Sequence, residues 1–218
     1  ALIGVDVLKE PGVFPVEIAS IDVTGENHFY TLYIEIVDAE RKTDYLTLPP
    51  EMVTPQDPET LARIKRESVL LEGIFEEDTG PYVGGLFSLP VPDKVSSLFG
   101  TKRVLNGKPK APHSGTDFRS PLGRLVRAPA NSRVAFVGDL YYTGRTVILD
   151  HGSGVYSLYA HLLKPLCKVG QELEAGQPVG KVGSTGRSTG AHLHWTVKIR
   201  GAKVDPLELV AQYGMERP

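Results

Sequence analysis

Hydrophobic and polar positions alternate in strand fashion through much of the first 50 residues. Val13-Phe14-Pro15-Val16-Glu17-Ile18 and Phe29-Tyr30-Thr31-Leu32-Tyr33-Ile34-Glu35-Ile36-Val37 are rich in β-branched and aromatic residues, which predicts two strands. Gly25-Glu26-Asn27 predicts the turn between them. The period then changes. Leu61, Ile64, Leu71 and Phe75 recur at helical spacing with charges between them, predicting one helix over about 58–75. Asp57 is its expected N-cap, Pro58 its first position and Glu76 to Pro81 its end. Pro90-Val91-Pro92-Asp93 marks a linker over about 88–95. From Leu98 onward the pattern is nearly all strand, with Gly and Pro at fairly regular intervals. The predicted strands are Leu125–Ala128, Ser132–Asp139, Arg145–Asp150, Val155–Ala160, Pro178–Val182 and Leu193–Ile199. The expected fold is mainly β. A small β-rich N-terminal domain with one helix, 1–95, would precede an antiparallel β-sheet or barrel domain, 96–218.

Composition adds three points. At 218 residues and 41% hydrophobic, the chain can bury one large core or two small ones. No run of about 18 apolar residues exists, so no transmembrane helix is expected. The chain begins with Ala1 rather than Met, which leaves open a leader removed or left out. Cys167 is the single cysteine, which excludes an internal disulfide; it is expected to pack as a small hydrophobe.

Charge divides the chain. Residues 1–97 hold 18 Asp/Glu against 7 Lys/Arg, a balance of −11; residues 98–218 hold 8 against 17, a balance of +9. The basic half should favour an anionic partner, unless two solvated surfaces simply differ in sign. Opposite signs also suggest that the N-terminal part docks on the basic half and covers its groove.

The candidate chemistry lies in that basic half. In "TGRSTGAHLHWTV", Thr185 to Val197, a strand puts His192 and His194 on one face and Leu193, Trp195 and Val197 on the other. Pro112-His113-Ser114-Gly115-Thr116-Asp117 places His113, Gly115 and Asp117 on one face of an extended segment, the glycine leaving space between imidazole and carboxylate. His113, Asp117 and a further histidine make a competent zinc set, and three protein ligands leave one position for water. Val155 to Ala160 is an alternating strand that ends at His161. Zinc hydrolysis needs groups that take and return protons. No Glu or Asp stands where a His-Glu-x-x-His motif would provide one, so His161 and His192 remain for that work.

These pieces, in this order, resemble the LytM/lysostaphin-type zinc metallopeptidases. The resemblance rests on His113-x-x-x-Asp117, Tyr159-Ala160-His161-Leu162 and Ser184-Thr185-Gly186-Arg187-Ser188-Thr189-Gly190-Ala191-His192-Leu193-His194. It runs over roughly residues 98 to 209 and includes Arg103-Val104-Leu105-Asn106 and Ala175-Gly176-Gln177-Pro178-Val179-Gly180. It implies that His113, Asp117 and His194 bind one Zn²⁺ and that His161 and His192 are catalytic, without saying which is the base. It implies a groove with loop walls and, as substrate, the cross-linking or stem peptides of bacterial peptidoglycan, cleaved through a metal-activated water. The 103–113 stretch resembles the Gram-negative members. Pentaglycine-cleaving relatives carry a tyrosine shortly before the first zinc histidine; Gly107-Lys108-Pro109-Lys110 has none. The implied location is the cell envelope, periplasmic or secreted. No nucleic-acid partner is expected.

Plainer roles suit the remaining candidates. His151 and His28 read as exposed turn histidines. Tyr141 and Tyr142 either line the groove or fill a surface hairpin. Tyr159, two residues before His161, is expected to share its face and to contact substrate or a metal ligand. A non-catalytic regulator of other wall hydrolases is the alternative function, and a filled set of five positions argues against it. A biotinyl/lipoyl-type carrier would need a hairpin-tip lysine, which Lys181 does not supply.

Overall fold

The computed structural model describes residues 3–77 and 79–213. Asp78, within the expected helix end, lies outside them. The chain forms two compact units, Leu8–Arg41 and the remainder.

The first unit is a hairpin of β1 (Gly12–Ile21) and β2 (Asn27–Ile36), paired antiparallel from Gly12↔Ile36 to Ile21↔Asn27. Its turn is closed by Asp22, whose Oδ1 accepts from the Thr24 and Glu26 amides at 2.8 and 3.0 Å. His28 is not a turn residue: it lies on β2 and contacts Asp22 Oδ2 at 3.0 Å.

The second unit carries the remaining elements. Ahead of the main sheet come β3 (Thr43–Leu46), α1 (Pro50–Val53) and α2 (Pro58–Glu76). Next are β4 (Val95–Ser97), β5 (Lys102–Leu105), β6 (Lys108–Lys110), β7 (Thr116–Phe118) and β8 (Leu125–Arg127). Then follow β9 (Ser132–Leu140), β10 (Gly144–Asp150), β11 (Val155–Ala160) and β12 (Leu162–Pro165). The chain continues with β13 (Glu172–Leu173), β14 (Pro178–Val182), β15 (Leu193–Ile199), β16 (Ala202–Val204) and α3 (Pro206–Tyr213). The main antiparallel sheet runs β13-β9-β10-β11-β15-β7-β4, with β16 also on β15. Two three-stranded sheets flank it, β12-β14-β8 and β3-β5-β6. No helix among the described residues is long and apolar enough to cross a membrane.

Strand alternation assigns the two faces of this sheet. Val147, Leu149, Tyr159, Leu193, Trp195 and Val197 enter the larger core. Ile148, Tyr156, Leu158 and Ala160 face the other way, where Leu71, Ile74 and Phe75 of α2 cover them. Asp57 caps α2 by accepting from the Thr60 amide at 2.8 Å. Leu61 does not join this contact and is exposed. The alternation of β15 decides where chemistry can occur. With Trp195 in the core, His194 and Thr196 stand on the α2 face, and the register sets His194 opposite Ala160 on one side and Asp117 on the other.

Candidate metal centre and groove

His113 precedes β7, Asp117 lies on it and His194 lies on β15, directly opposite Asp117. Their ligating atoms converge. His113 Nε2 is 3.0 Å from both Asp117 Oδ1 and His194 Nδ1, and the last two are 2.7 Å apart. All three residues are buried. Gly115 permits this approach, though not by leaving a gap beside the ligands. A Cβ there would strike the Trp195 carbonyl and sit 2.7 Å from Thr196 Oγ1, so the missing side chain makes room for β15 itself.

Outer partners orient each ligand. The Leu98 carbonyl accepts from His113 Nδ1–H at 3.0 Å, which leaves the Nε2 lone pair directed at the cluster. Thr196 Oγ1 lies 2.9 Å from His194 Nε2, selecting Nδ1 as the free atom of that ring. Arg103 Nη2 donates to Asp117 Oδ2 at 3.0 Å and leaves Oδ1 to the cluster. Burial opposes ionisation of Asp117, but its close contacts with the His113 and His194 rings outweigh that and hold its carboxyl far below the usual range. Two imidazole nitrogens and one carboxylate oxygen are a zinc-type donor set, one short of the usual four.

His161 and His192 stand beside the triad. Their ring centroids are 4.7 Å apart, and His161 is 6.0 Å from His194. His161 reaches this side because the strand ends one residue earlier. Its φ is +59°, a left-handed conformation uncommon for a non-glycine residue, which releases it from the alternation of β11. Tyr159 does not share its face. It is buried in the larger core with its hydroxyl 2.8 Å from Ser157 Oγ. The Thr185 carbonyl accepts from His161 Nδ1–H at 2.7 Å, and the Gly190 carbonyl from His192 Nδ1–H at 2.9 Å. Each ring is thereby left with its Nε2 lone pair. Burial, with the nearby His192 and His194, lowers the His161 pKa to about 3, so this ring is neutral at pH 7.

The two histidines open onto a groove of about 460 Å³ that also includes Asp117 and His194. Residues 187–192 form one wall. The glycine-rich run 183–190 that leads into it is anchored: the Arg187 amide donates to the Tyr142 carbonyl at 2.8 Å, and Thr185 Oγ1 accepts from the Arg145 amide at 2.9 Å. Gly144, at φ +60°, lets the two loops meet, since a Cβ there would collide with the Thr185 backbone. Asp44, Leu46 and Leu48 line another part of the groove.

The other sequence candidates fall elsewhere. His151 is fully buried, not exposed: its Nδ1–H donates to the Asn131 carbonyl at 2.9 Å and its Nε2 lies 2.8 Å from Ser157 Oγ. Tyr141 hydrogen-bonds Glu67 and the Glu51 carbonyl, and Tyr142 lies beneath the Arg187 guanidinium. Cys167 packs against the larger core. The outer partners Leu98, Arg103 and Thr196 carried no signal of their own role, because their function is set by neighbours distant in sequence.

Comparison with known proteins matches this geometry. The model for peptidase family M23 fits residues 111–206, which contain all five candidate residues. The peptidoglycan DD-endopeptidase ShyA of Vibrio cholerae is 38% identical over 116 residues, covering 53% of this chain and 27% of that protein. The chain thus spans about a quarter of that relative's length. A peptidase M23 structure from Pseudomonas aeruginosa aligns with TM-score 0.74 and 32% identity, covering 98% of this chain and 78% of the other. A zinc-containing peptidase from Vibrio cholerae aligns with TM-score 0.53 and 35% identity over 56% of this chain and 39% of the other. The match to the Pseudomonas structure extends over nearly the whole chain, and with the family model falling on the histidine and aspartate cluster, the chain belongs to peptidase family M23.

Proposed function

We propose that this protein is a zinc-dependent endopeptidase that hydrolyses cross-linking or stem peptides of bacterial peptidoglycan in the cell envelope. The observation that carries this reading is the convergence of His113 Nε2, Asp117 Oδ1 and His194 Nδ1 within 2.7–3.0 Å, beside two histidines that open onto one groove. His113, Asp117 and His194 would hold the zinc ion. When bound, zinc supplies Lewis-acid activation of water and of the scissile carbonyl. His161 and His192 move the protons. Donation of Nδ1–H to a backbone carbonyl sets the tautomer in which each neutral ring turns its Nε2 lone pair outward. A neutral His161 fits the role of a base or hydrogen-bond acceptor better than that of a resting acid. Arg103 orients Asp117 by donating to its Oδ2.

The stretch before about residue 95 we assign to positioning or regulation of the catalytic half, 96–218. Support comes from Asp44, Leu46 and Leu48, which line the groove from that stretch. Digestion of purified walls with and without a chelator tests the activity, with His161→Ala and His194→Ala as parallel variants.

A further inference from the structure

The groove contains a cation for which no described residue supplies a counter-charge. Arg187 lies in the glycine-rich wall, four residues before the Ala191-His192 corner, and is half-buried. Its guanidinium stacks on Tyr142 at 4.4 Å from the ring centroid, and Nη1 makes one long contact, 3.5 Å, with the Met52 carbonyl. No carboxylate among the described residues pairs with it. The two acidic side chains of the groove are committed elsewhere. Asp117 is held by Arg103, His113 and His194, and Asp44 Oδ2 accepts from Ser97 Oγ at 3.0 Å. Burial disfavours the Arg187 charge most; Tyr142 offsets part of this and the nearby Arg103 adds repulsion.

A desolvated guanidinium without a counter-ion is costly, and this one is kept in place by an aromatic stack and by the backbone bond from its own amide to Tyr142. Stacking fixes the plane of the fork, whose edge makes only the long Nη1 contact with the Met52 carbonyl, an arrangement suited to bidentate contact with a planar carboxylate. We infer that Arg187 is a specificity-determining residue that binds a free carboxylate of the peptide substrate near the scissile bond. The inference rests on the endopeptidase reading above and deepens it: the enzyme would prefer acidic over amidated peptides.

The test compares two cross-linked muropeptides identical except that the free carboxylates of one are carboxamides. The zinc-loaded full chain, Arg187→Gln and Arg187→Lys are assayed on both, with metal content and thermal unfolding measured for each protein. The parent should favour the acid over the amide in kcat/KM by roughly ten- to a hundred-fold, the range of one charge-assisted contact. Arg187→Gln should lose that preference through KM, and Arg187→Lys should retain part of it. A preference that survives in Arg187→Gln, or a parent that cleaves acid and amide equally, overturns the assignment while leaving the endopeptidase intact. A parent that cleaves neither substrate refutes the endopeptidase reading and this inference with it.

Discussion

His151 gives a sharp test of how the core is built. The ring is fully buried and wedged against Phe87, with centroids 4.8 Å apart. Its Nδ1–H is given to the Asn131 carbonyl and its Nε2 faces Ser157 Oγ, so the fold holds the neutral form. Burial lowers its pKa from 6.5 to about 4, against the smaller opposing effect of the Asn131 contact. A depressed histidine pKa means that the unfolded chain binds more protons below pH 6.5. Stability is therefore full above that pH and is lost as pH falls toward 4. For one group with these two values, the loss between about pH 7.5 and about pH 4.5 is about 2.5 kcal/mol. Replacing His151 with Gln removes the titration and adds a packing cost that does not vary with pH. The assay is urea unfolding of parent and variant across that range under identical metal conditions. The variant should be less stable at neutral pH, with the gap closing by about 2.5 kcal/mol toward acid. Parallel stability curves would show that His151 contributes nothing to acid sensitivity and would refute the reasoning.

Three further predictions concern the site. His113→Ala and His194→Ala should lose both zinc and activity, whereas His161→Ala should lose activity and largely keep zinc, as read by metal analysis beside the digest; stoichiometric zinc loss in His161→Ala would overturn its role. Gly115→Ala should force β7 and β15 apart, costing about 1–3 kcal/mol in unfolding free energy and weakening metal binding in a chelator competition. Leu48→Ala should loosen the small cluster that Leu48 forms with Val53 and Leu105 beside the groove and raise cleavage of intact walls; unchanged cleavage would argue against a regulatory role for that segment.

Long elements were legible because their residues report their own environment. α2 announced itself through Asp57, Pro58 and the Leu71 and Phe75 stripe, and β9, β10, β11 and β15 through sustained alternation. Apart from β8, read as Leu125–Ala128, strands of two to four residues such as β6 and β13 were not legible, since so short a run has no period and is created by the strand it pairs with. His161 shows another limit. Alternation alone would group it with Tyr159, and only its left-handed φ places it on the opposite side. His151 and Leu61 exchanged their expected environments for a related reason: a flanking turn suggested exposure for one and helical spacing burial for the other, but neighbours remote in sequence decide both. The triad could be located because its motifs, in their order, resemble those of the LytM/lysostaphin-type peptidases. The partners that tune it could not, because arginine, threonine and a backbone carbonyl are ordinary until the fold brings them to Asp117, His194 and His113.

The central claim is that His113, Asp117 and His194 hold a zinc ion that cleaves wall peptides. Its most direct test is mass spectrometry of fragments released from diaminopimelate-type and pentaglycine-type peptidoglycan by the full chain, with chelator and with zinc restored. Fragments should be released from diaminopimelate-type walls, release should stop with chelator and return with zinc, and His194→Ala should release none. Release that persists in chelator or in His194→Ala, or no release by the zinc-loaded chain, would contradict it.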